Sequence, residues 1–498
     1  GDFHDKFGIF YKGNDALSFS GSINDSKHGF QNYESIKVFK TWAGTQEYVD
    51  ADTARFEKIW NRKDRNLKMF TIPQAVKNKI FELRSPDRPY SLPAGSSKWV
   101  HQDIAVKTFL EKEHGILAMA TGTGKTVTAM KIINKLFDSG EIRRVVITMY
   151  GNDLLDQWAI QIRENYKNKQ INYHYASQKM MKDFVMHPDD SILILSRDAR
   201  NLSKLLDLFD RLPGDYRNDT LFVFDEVHGA GSNTFVENLS GRLSPYRYRL
   251  GLSATPEREY DEAGNDFLLN EIGEVIFEFT LQDAIQKGIL CEFNYIPLPY
   301  VLSDEEKLKK RKIIAAFNAK KESGEPVDEK DMFNQLALVN KTAVNKLEEF
   351  ESLISQRPEL LQKCIIFVQT MEYGAKLQEI LVRYSDKYHT YYADDEKINL
   401  ENFAAGKIDC LLTCKKVSEG IDISSVTNII LFSSDRSRLV TTQRIGRALR
   451  LDKNNPEKKA TVVDFVIEDS EENDNNADAD RAEWLTDLSQ TRRCEHEK

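Results

Sequence analysis

The sequence of 498 residues has few cysteines and no long hydrophobic run. Its five cysteines are scattered, and none forms the C-x-x-C pair or has the histidine partner that a zinc site uses. No segment reaches the roughly 20 consecutive apolar residues that a membrane-spanning helix needs, and no signal-peptide pattern is visible. These absences argue against a zinc site and a membrane partner. They favour a cytoplasmic protein whose cysteines are reduced core residues.

Solenoid-type repeats are also absent, and acidic residues outnumber basic ones. The net charge of −9 argues at first against a polyanionic partner. Residues 468–480, however, hold seven acidic residues and no basic one, so the rest of the chain carries a net charge of only −2. Because a nearly neutral body can still present a local basic groove, nucleic acid stays open as a partner.

Two long segments of the chain alternate apolar runs with helical patterns. The first contains GILAMA, RRVVITMY, SILILS, TLFVFDE and YRLGLSAT, and the second contains KCIIFVQT, KIDCLLTC, VTNIILFSS and ATVVDFV. Such runs suit strands buried on both faces of a parallel sheet that helices cover. The sequence therefore predicts an α/β fold with two parallel-sheet lobes joined by a helical linker. The predicted segments are an N-terminal segment (1–82), a linker (83–98), a first lobe (99–290), a helical connector (291–357), a second lobe (358–467) and an acidic tail without fixed structure (468–498).

A glycine-rich turn follows the first apolar run. The strand Gly115–Met119 leads into ATGTGKT and then into a helix. Glycines let backbone N–H groups approach the β- and γ-phosphates of a nucleotide, and the helix N-terminus favours their charge. In this pattern Lys125 would reach the phosphates and Thr126 would bind Mg²⁺ through its hydroxyl. The general pattern has glycine where this chain has Met119, so the motif alone is only moderately specific. The predicted nucleotide-binding residues are Thr121, Gly122, Thr123, Gly124, Lys125 and Thr126.

A pair of carboxylates ends another apolar run about a hundred residues later. In LFVFDEVH, the side chains of Asp225, Glu226 and His228 follow the predicted strand. Asp225 would hold Mg²⁺, and Glu226 would orient or deprotonate the attacking water. Such a pair is often only a solvated turn, but a P-loop in the same sheet favours the catalytic interpretation.

The order of four motifs resembles the superfamily 2 helicases over residues 99–467. The motifs are ATGTGKT, DEVH, GLSATPER (251–258) and QRIGRALR (443–450). Within the superfamily, the chain looks most similar to restriction-type translocases and excision-repair-like DNA helicases, and less similar to the DEAD-box RNA helicases. The resemblance implies two RecA-like lobes that close on one Mg-ATP and move along DNA, with RNA as a weaker alternative.

The resemblance also implies roles for residues outside the P-loop and DEVH. Gln102 would hydrogen-bond to the edge of the adenine base, although the sequence WVHQ differs from the usual R-x-Y-Q pattern. Ser253 and Thr255 would couple the γ-phosphate to lobe movement, and Gly420 and Asp422 match a segment that senses ATP and touches the strand.

The last motif carries the residues that would act from the second lobe. Gln443, Arg447 and Arg450 match it, with Arg450 as the arginine finger and Arg447 as a second γ-phosphate contact. The alternative interpretation, an arginine on an exposed basic helix face, fits Arg444 better than it fits Arg450. For the nucleic-acid track, residues 149–158 and Thr413 resemble segments that contact backbone phosphates, which predicts little base specificity.

The first 60 residues resemble one half-site of the phospholipase D-like nucleases, an α+β family. In that family a histidine attacks phosphorus while lysine and asparagine bind the phosphate oxygens without a metal. The family's aspartate five residues after the lysine is replaced by Tyr11, and Asp15 is the nearest candidate. Because two half-sites make one active site, a working site would favour a homodimer through this segment, and an inert remnant is the alternative. The residues of the predicted half-site are His4, Lys6, Ser22, Asn24 and Glu34.

Three functions from different classes follow from these motifs. The first is an ATP-dependent DNA helicase or translocase, which could be the motor of a nuclease–helicase in restriction or phage defence. The second is a nuclease effector with the motor as an accessory, and it would lose phosphodiester cleavage with His4→Ala. The third is an ATP-gated clamp, and Glu226 and Arg450 argue against it because a clamp does not need fast hydrolysis.

Overall fold

The structure is a computed structural model, and it describes residues 6–12, 15–21, 36–60, 98–174, 180–187, 189–211, 216–258, 261–323, 327–392, 395–414, 425–433, 438–452, 455, 457–468 and 477–493. The chain divides into two units, residues 1–87 and 88–498. Within the described ranges, every helix is too short or too polar to cross a membrane.

In the residues that the structure describes, the first unit forms a small antiparallel sheet and one α-helix. Its elements are β1 (Lys6–Lys12), β2 (Asp15–Gly21), β3 (Ile36–Lys40) and α1 (Gln46–Trp60), and the strands pair in the order β1-β2-β3. Helix α1 covers one face of the sheet, where Ser18 Oγ donates to Asp52 Oδ2 at 2.6 Å and Val49 is buried.

The predicted nuclease half-site falls mostly outside the described residues. His4, Ser22, Asn24 and Glu34 lie there, and only the backbone of Lys6 is described, at the start of β1. The half-site therefore stays a prediction. Tyr11, which stands where the nuclease family has aspartate, places its hydroxyl 3.5 Å from the Thr53 hydroxyl of α1.

The second unit begins with a seven-stranded, fully parallel sheet. Its strands pair in the order β10-β4-β9-β8-β5-β7-β6. Central strands such as β5 are buried along their whole length, which is why the sequence shows them as unbroken apolar runs. The strands are β4 (His114–Met119), β5 (Arg144–Met149), β6 (Gln170–His174), β7 (Ser191–Ser196), β8 (Thr220–Asp225), β9 (Tyr248–Ser253) and β10 (Val275–Phe279). The helices between and after them are α2 (Val100–Lys112), α3 (Lys125–Asp138), α4 (Asn152–Asn165), α5 (Met180–Met186), α6 (Ala199–Arg211), α7 (Asn233–Leu239), α8 (Glu262–Glu271) and α9 (Leu281–Gln286).

A second parallel sheet, of six strands, follows in the same unit. The strands pair in the order β11-β16-β15-β12-β14-β13. They are β11 (Phe293–Tyr300), β12 (Cys364–Phe367), β13 (Tyr388–Thr390), β14 (Cys410–Thr413), β15 (Asn428–Leu431) and β16 (Ala460–Ile467). The helices are α10 (Asp304–Glu322), α11 (Glu329–Lys341), α12 (Asn345–Gln356), α13 (Met371–Leu381), α14 (Lys397–Ala404), α15 (Arg438–Ala448) and α16 (Ala477–Ser489). The prediction of two parallel-sheet α/β lobes is confirmed.

The segment predicted as a helical connector, residues 291–357, also contains a strand. Strand β11 lies inside it and pairs with β16 over eight residues, so it belongs to the second sheet. The sequence FNYIPLPY hides this strand, because its two prolines argue against a central strand and are tolerated only at an edge such as this one. Helix α10 does match the predicted polar connector, since none of its residues is buried.

The acidic tail contains a docked helix, and the prediction that residues 468–498 lack fixed structure is wrong for α16. Leu485 and Leu488 of this helix are buried. Arg481 forms a buried ion pair with Asp464 of β16, with Nε 2.7 Å from Oδ2. Composition misled the sequence-based prediction because Leu485, Leu488, the partly buried Trp484 and one arginine are enough to dock a helix that is otherwise acidic.

Candidate functional site

The glycine-rich turn connects β4 to α3, as the motif predicts. Gly122 and Gly124 adopt left-handed backbone conformations with φ of +86° and +89°, which residues with a Cβ rarely adopt. At Gly124 a Cβ would also overlap the amide of Gln102. Helix α3 begins at Lys125, so its free N–H groups face the turn, where they form a cradle for an anion.

Lys125 and Glu226 meet at the carboxyl edge of the sheet. Lys125 Nζ lies 3.0 Å from Glu226 Oε1. Strands β4 and β8 both pair with β9, so the residues that follow them reach the same edge. This is the arrangement expected for a site that binds phosphates and activates water.

Asp225 is the buried member of the carboxylate pair, and two donors hold it. Its Oδ2 accepts a hydrogen bond from the indole N–H of Trp158 at 2.7 Å, and its Oδ1 accepts one from the backbone N–H of Glu226 at 2.9 Å. Burial raises the pKa of the Asp225 carboxyl, and the neighbouring charge of Glu226 adds to this. Burial also favours the neutral form of Glu226, but the nearby positive groups, with Lys125 first among them and Arg197 also contributing, together lower the pKa of that carboxyl. Glu226 is thus available as a carboxylate.

His228 links the DEVH segment to the end of β9. Its Nδ1 lies 3.2 Å from the Ser253 hydroxyl and 3.6 Å from Glu226 Oε2. The Ser253 oxygen also accepts the backbone N–H of Thr255 at 3.1 Å. Burial lowers the pKa of His228 to about 4, so its imidazole is neutral near pH 7.

The side chain of Gln102, a residue of α2, contacts the glycine-rich turn. Its side-chain N–H donates to the Thr123 carbonyl at 3.2 Å, and the Nε2 of His101 lies 2.9 Å from the same oxygen. The His101 ring stacks on Phe279 with centroids 4.1 Å apart. The two side chains therefore connect α2 to the turn, while the predicted contact of Gln102 with adenine stays a prediction.

The last motif of the second lobe lies against the same turn. It occupies α15 and the residues after it, and a Cβ on Gly446 would stand 3.0 Å from Thr121 Cβ. A Cβ on Gly122 would stand 3.4 Å from Arg450 Cγ. Arg447 is buried and Gln443 is half-buried on the same helix. Gly420 and Asp422 lie outside the described residues.

Two predictions about exposed contacts in the second lobe are wrong. Arg444 is buried instead of lying on an exposed face, because its guanidinium donates to the Ser433 carbonyl and lies 4.7 Å from the Phe367 ring centroid. Thr413 is also buried, and its hydroxyl donates to the Tyr391 carbonyl at 2.7 Å, so this side chain does not reach a phosphate track.

Two residues of the site escaped the motif analysis. Trp158 ends a segment that resembles a phosphate-contacting track, yet its side chain is buried and supports Asp225. Arg197 follows β7, and its Nη1 donates to the carbonyls of Asp225 at 2.8 Å and Glu226 at 2.7 Å. These bonds hold Glu226 in the left-handed conformation, with φ of +47°. The only sequence signal for Arg197 was its place after an apolar run.

The polar atoms around the turn fit a bound Mg-nucleotide. Three buried oxygens there have no hydrogen-bond partner within the protein: Thr121 Oγ1, Glu226 Oε2 and Thr255 Oγ1. They surround a cradle of backbone N–H groups and the ammonium of Lys125, which suits phosphate oxygens and the water around them. Over the described ranges, no group of three or more candidate metal-ligating side chains occurs.

Two family models match the second unit. The model for "Type III restriction enzyme, res subunit" matches residues 96–258, which hold the turn and DEVH, and the "Helicase conserved C-terminal domain" matches residues 345–452, which hold α15. The chain carries a superfamily 2 helicase core. Neither model reaches the first 95 residues, where the nuclease resemblance lies.

Individual relatives of this helicase core share low identity over long stretches. The DNA 3'-5' translocase XPB2 of Sulfurisphaera tokodaii is 24% identical over 74% of this chain and 80% of its own length. The type I restriction enzyme EcoAI endonuclease subunit of Escherichia coli is 23% identical over 76% of this chain and 47% of its own length. Among solved structures, the ATP-dependent Type ISP restriction-modification enzyme LlaBIII bound to DNA aligns with a TM-score of 0.54 and 16% identity, over 82% of this chain and 30% of its own.

Proposed function

We propose that this helicase core couples the hydrolysis of Mg-ATP to movement along DNA, as a helicase or translocase. The observation that carries the proposal is the convergence of both lobes on one turn. Lys125 and Glu226 meet 3.0 Å apart in the first lobe, and Arg450 of the second lobe lies against Gly122 of the turn. A site divided between two lobes can convert a chemical step into a change of lobe spacing.

The first lobe supplies the phosphate cradle and the base. Bound Mg-ATP would supply the phosphoryl group that water attacks. The N–H groups at the start of α3 and the ammonium of Lys125 bind phosphate, and Thr126 and Asp225 would hold the Mg²⁺. Glu226 would accept the proton of the attacking water, since its position at the carboxyl edge of the sheet and its charge suit a general base.

The second lobe supplies the positive charge. Arg450 and Arg447 would balance the charge that develops on the γ-phosphoryl oxygens, with Gln443 beside them on α15. These residues belong to the second lobe, so hydrolysis would require the two lobes to be close together. Release of the products would then allow the lobes to separate. The pair formed by Lys125 and Glu226 must open when a nucleotide enters, since the ammonium then turns to phosphate.

DNA is the polymer that the relatives support. One is a DNA translocase by name, and the aligned restriction–modification enzyme was solved bound to DNA. Contacts from such motors go mainly to phosphate and sugar, so little sequence preference is expected. RNA remains an alternative that the same experiment tests.

The test is steady-state ATP hydrolysis without nucleic acid and with single-stranded DNA, duplex DNA or RNA. We expect DNA to raise kcat at least severalfold, and Lys125→Ala to lose activity by about a thousandfold because the phosphates lose their main cation. Lys135→Ala is the matched control, since Lys135 lies on the exposed face of the same helix. A rate that ignores all three polymers would refute movement along nucleic acid, and a larger effect of RNA would refute the choice of DNA.

The nuclease half-site is a second and separate prediction. It rests on sequence resemblance in the first unit and is tested by phosphodiester cleavage in wild type and His4→Ala, with Mg²⁺ removed by a chelator. Cleavage that persists in the chelator and disappears in the variant would support it, because this chemistry needs no metal. No cleavage in the wild type would indicate an inert remnant.

A further inference from the structure

The C-terminal end of α15 is held by groups from outside the helix. The carbonyl of Leu449 accepts the backbone N–H of Cys291 at 2.8 Å, and the Cys291 thiol lies 3.6 Å from the Ala448 carbonyl. The carbonyl of Arg450 accepts a hydrogen bond from Lys458 Nζ at 2.7 Å. Carbonyls at a helix end have no partner within the helix, so these bonds fix the direction in which the chain leaves it.

Lys458 is the charged member of this set, and it is buried. Its side chain is only 3% exposed, whereas that of the adjacent Lys459 is exposed. Burying an ammonium is costly unless it is well paired. The groups that favour its charge here include the negative end of α15, through the hydrogen bond to the Arg450 carbonyl, and the nearby carboxylate of Asp452. Because Lys458 is buried despite the cost of desolvating its ammonium, we expect its hydrogen bond to fix the helix end that it contacts.

The hydrogen bond from Lys458 affects where the Arg450 side chain lies. The Arg450 carbonyl lies one bond from the Cα that carries the guanidinium, and the side chain of this residue already lies against Gly122. Leu290, in the segment between α9 and β11 that joins the lobes, pairs with the backbone of Arg450 as an isolated antiparallel bridge. The backbone of Arg450 is therefore fixed by Lys458 and by the segment that joins the lobes.

We propose that Lys458 is a positioning residue for ATP hydrolysis, which holds the backbone of Arg450 so that its guanidinium lies at the glycine-rich turn. The proposal rests on the proposed role of Arg450. The contact of Lys458 is with the backbone of Arg450, so we expect it to act on the rate of the chemical step more than on nucleotide binding.

The first test replaces the donor and keeps the aliphatic stem. In ATP hydrolysis at saturating DNA, we expect Lys458→Met to lower kcat about tenfold, as for the loss of one charged hydrogen bond, with KM for ATP within twofold of wild type. Lys458→Arg, which keeps a cationic donor, should recover most of the rate. Lys459→Met should equal wild type. A raised KM with unchanged kcat, or equal losses in Lys458→Met and Lys459→Met, would overturn the proposal.

The second test separates positioning from general loss of structure. In an Arg450→Ala background the guanidinium is gone, so adding Lys458→Met should cause no further loss of kcat. A further tenfold loss in the double variant would show that Lys458 acts elsewhere and would overturn the proposal. Arg450→Ala with full activity would overturn it too, whereas a wild type without hydrolysis would refute the proposed function itself. Thermal unfolding checks that each variant folds, and Lys458→Gln replaces Lys458→Met if the latter does not.

Discussion

At the scale of residues, the carboxylate pair depends on side chains that no motif contains. Asp225 and Glu226 are adjacent in sequence and were found from the motif alone. Trp158, 67 residues before Asp225, donates its indole N–H to the Asp225 carboxylate. Arg197, 28 residues before Asp225, donates to the backbone carbonyls of Asp225 and Glu226. The bonds from Arg197 go to backbone carbonyls, which every residue type carries. For that reason such support leaves no signature in a single sequence.

The hydrogen bond from Trp158 predicts a change in pH dependence. It stabilises the charged form of Asp225, so Trp158→Phe, which removes the N–H and keeps most of the ring, should raise the pKa of that carboxyl further. A carboxyl with a higher pKa becomes charged only at higher pH. The acidic limb of the kcat/KM profile for ATP should therefore move to higher pH.

The measurement is kcat/KM from pH 5.5 to 9 for wild type and Trp158→Phe. Trp42→Phe serves as a control, because Trp42 is 58% exposed and belongs to the first unit. An acidic limb that stays in place, or moves to lower pH, would contradict the assigned hydrogen bond.

At the scale of elements, the four strands of the two parallel sheets that the apolar runs missed are all edge strands. They are β6 and β10 in the first sheet and β11 and β13 in the second. Central strands such as TLFVFD are buried along their whole length, which makes them visible as apolar runs. An edge strand such as QINYH has a neighbour on one side only and alternates polar with apolar residues, so its sequence resembles a loop.

Helix α16 shows how one buried ion pair can dock an element. The Asp464 side chain is fully buried, and Arg481 contacts both of its oxygens, with the Tyr295 hydroxyl 3.3 Å from Oδ2. Arg481→Met would leave a buried carboxylate without its cation. We expect the free energy of unfolding to fall by about 3 kcal/mol.

Urea unfolding of the whole chain, followed by tryptophan fluorescence, measures this loss. The control is Arg492→Met, because the Arg492 side chain is 57% exposed and its guanidinium lies 3.9 Å from Glu292, where an ion pair contributes less than about 1 kcal/mol. Equal midpoints for the two variants would mean that the buried pair does not stabilise the docked helix.

At the scale of the whole molecule, every described residue of the nucleotide site belongs to the unit 88–498. A chain that begins at residue 88 should therefore hydrolyse ATP in the presence of DNA at a rate within about threefold of the full chain, because both lobes keep their cores. The comparison is made at equal protein concentration, with thermal unfolding as a check on folding. Loss of hydrolysis in a folded truncated chain would assign the first unit a part in the motor.

The strand order of the second sheet has a consequence for synthesis on the ribosome. Strand β16 lies between β11 and β15, and Phe293 of β11 pairs with Ala460, which is made 167 residues later. At about 5–20 residues per second, β11 waits roughly ten to thirty seconds for its partner. The first lobe can fold during translation, but the second sheet cannot close until β16, which ends at Ile467, has left the ribosome. Nascent chains shorter than this carry unpaired strand edges, and they are the species that chaperones must protect from aggregation.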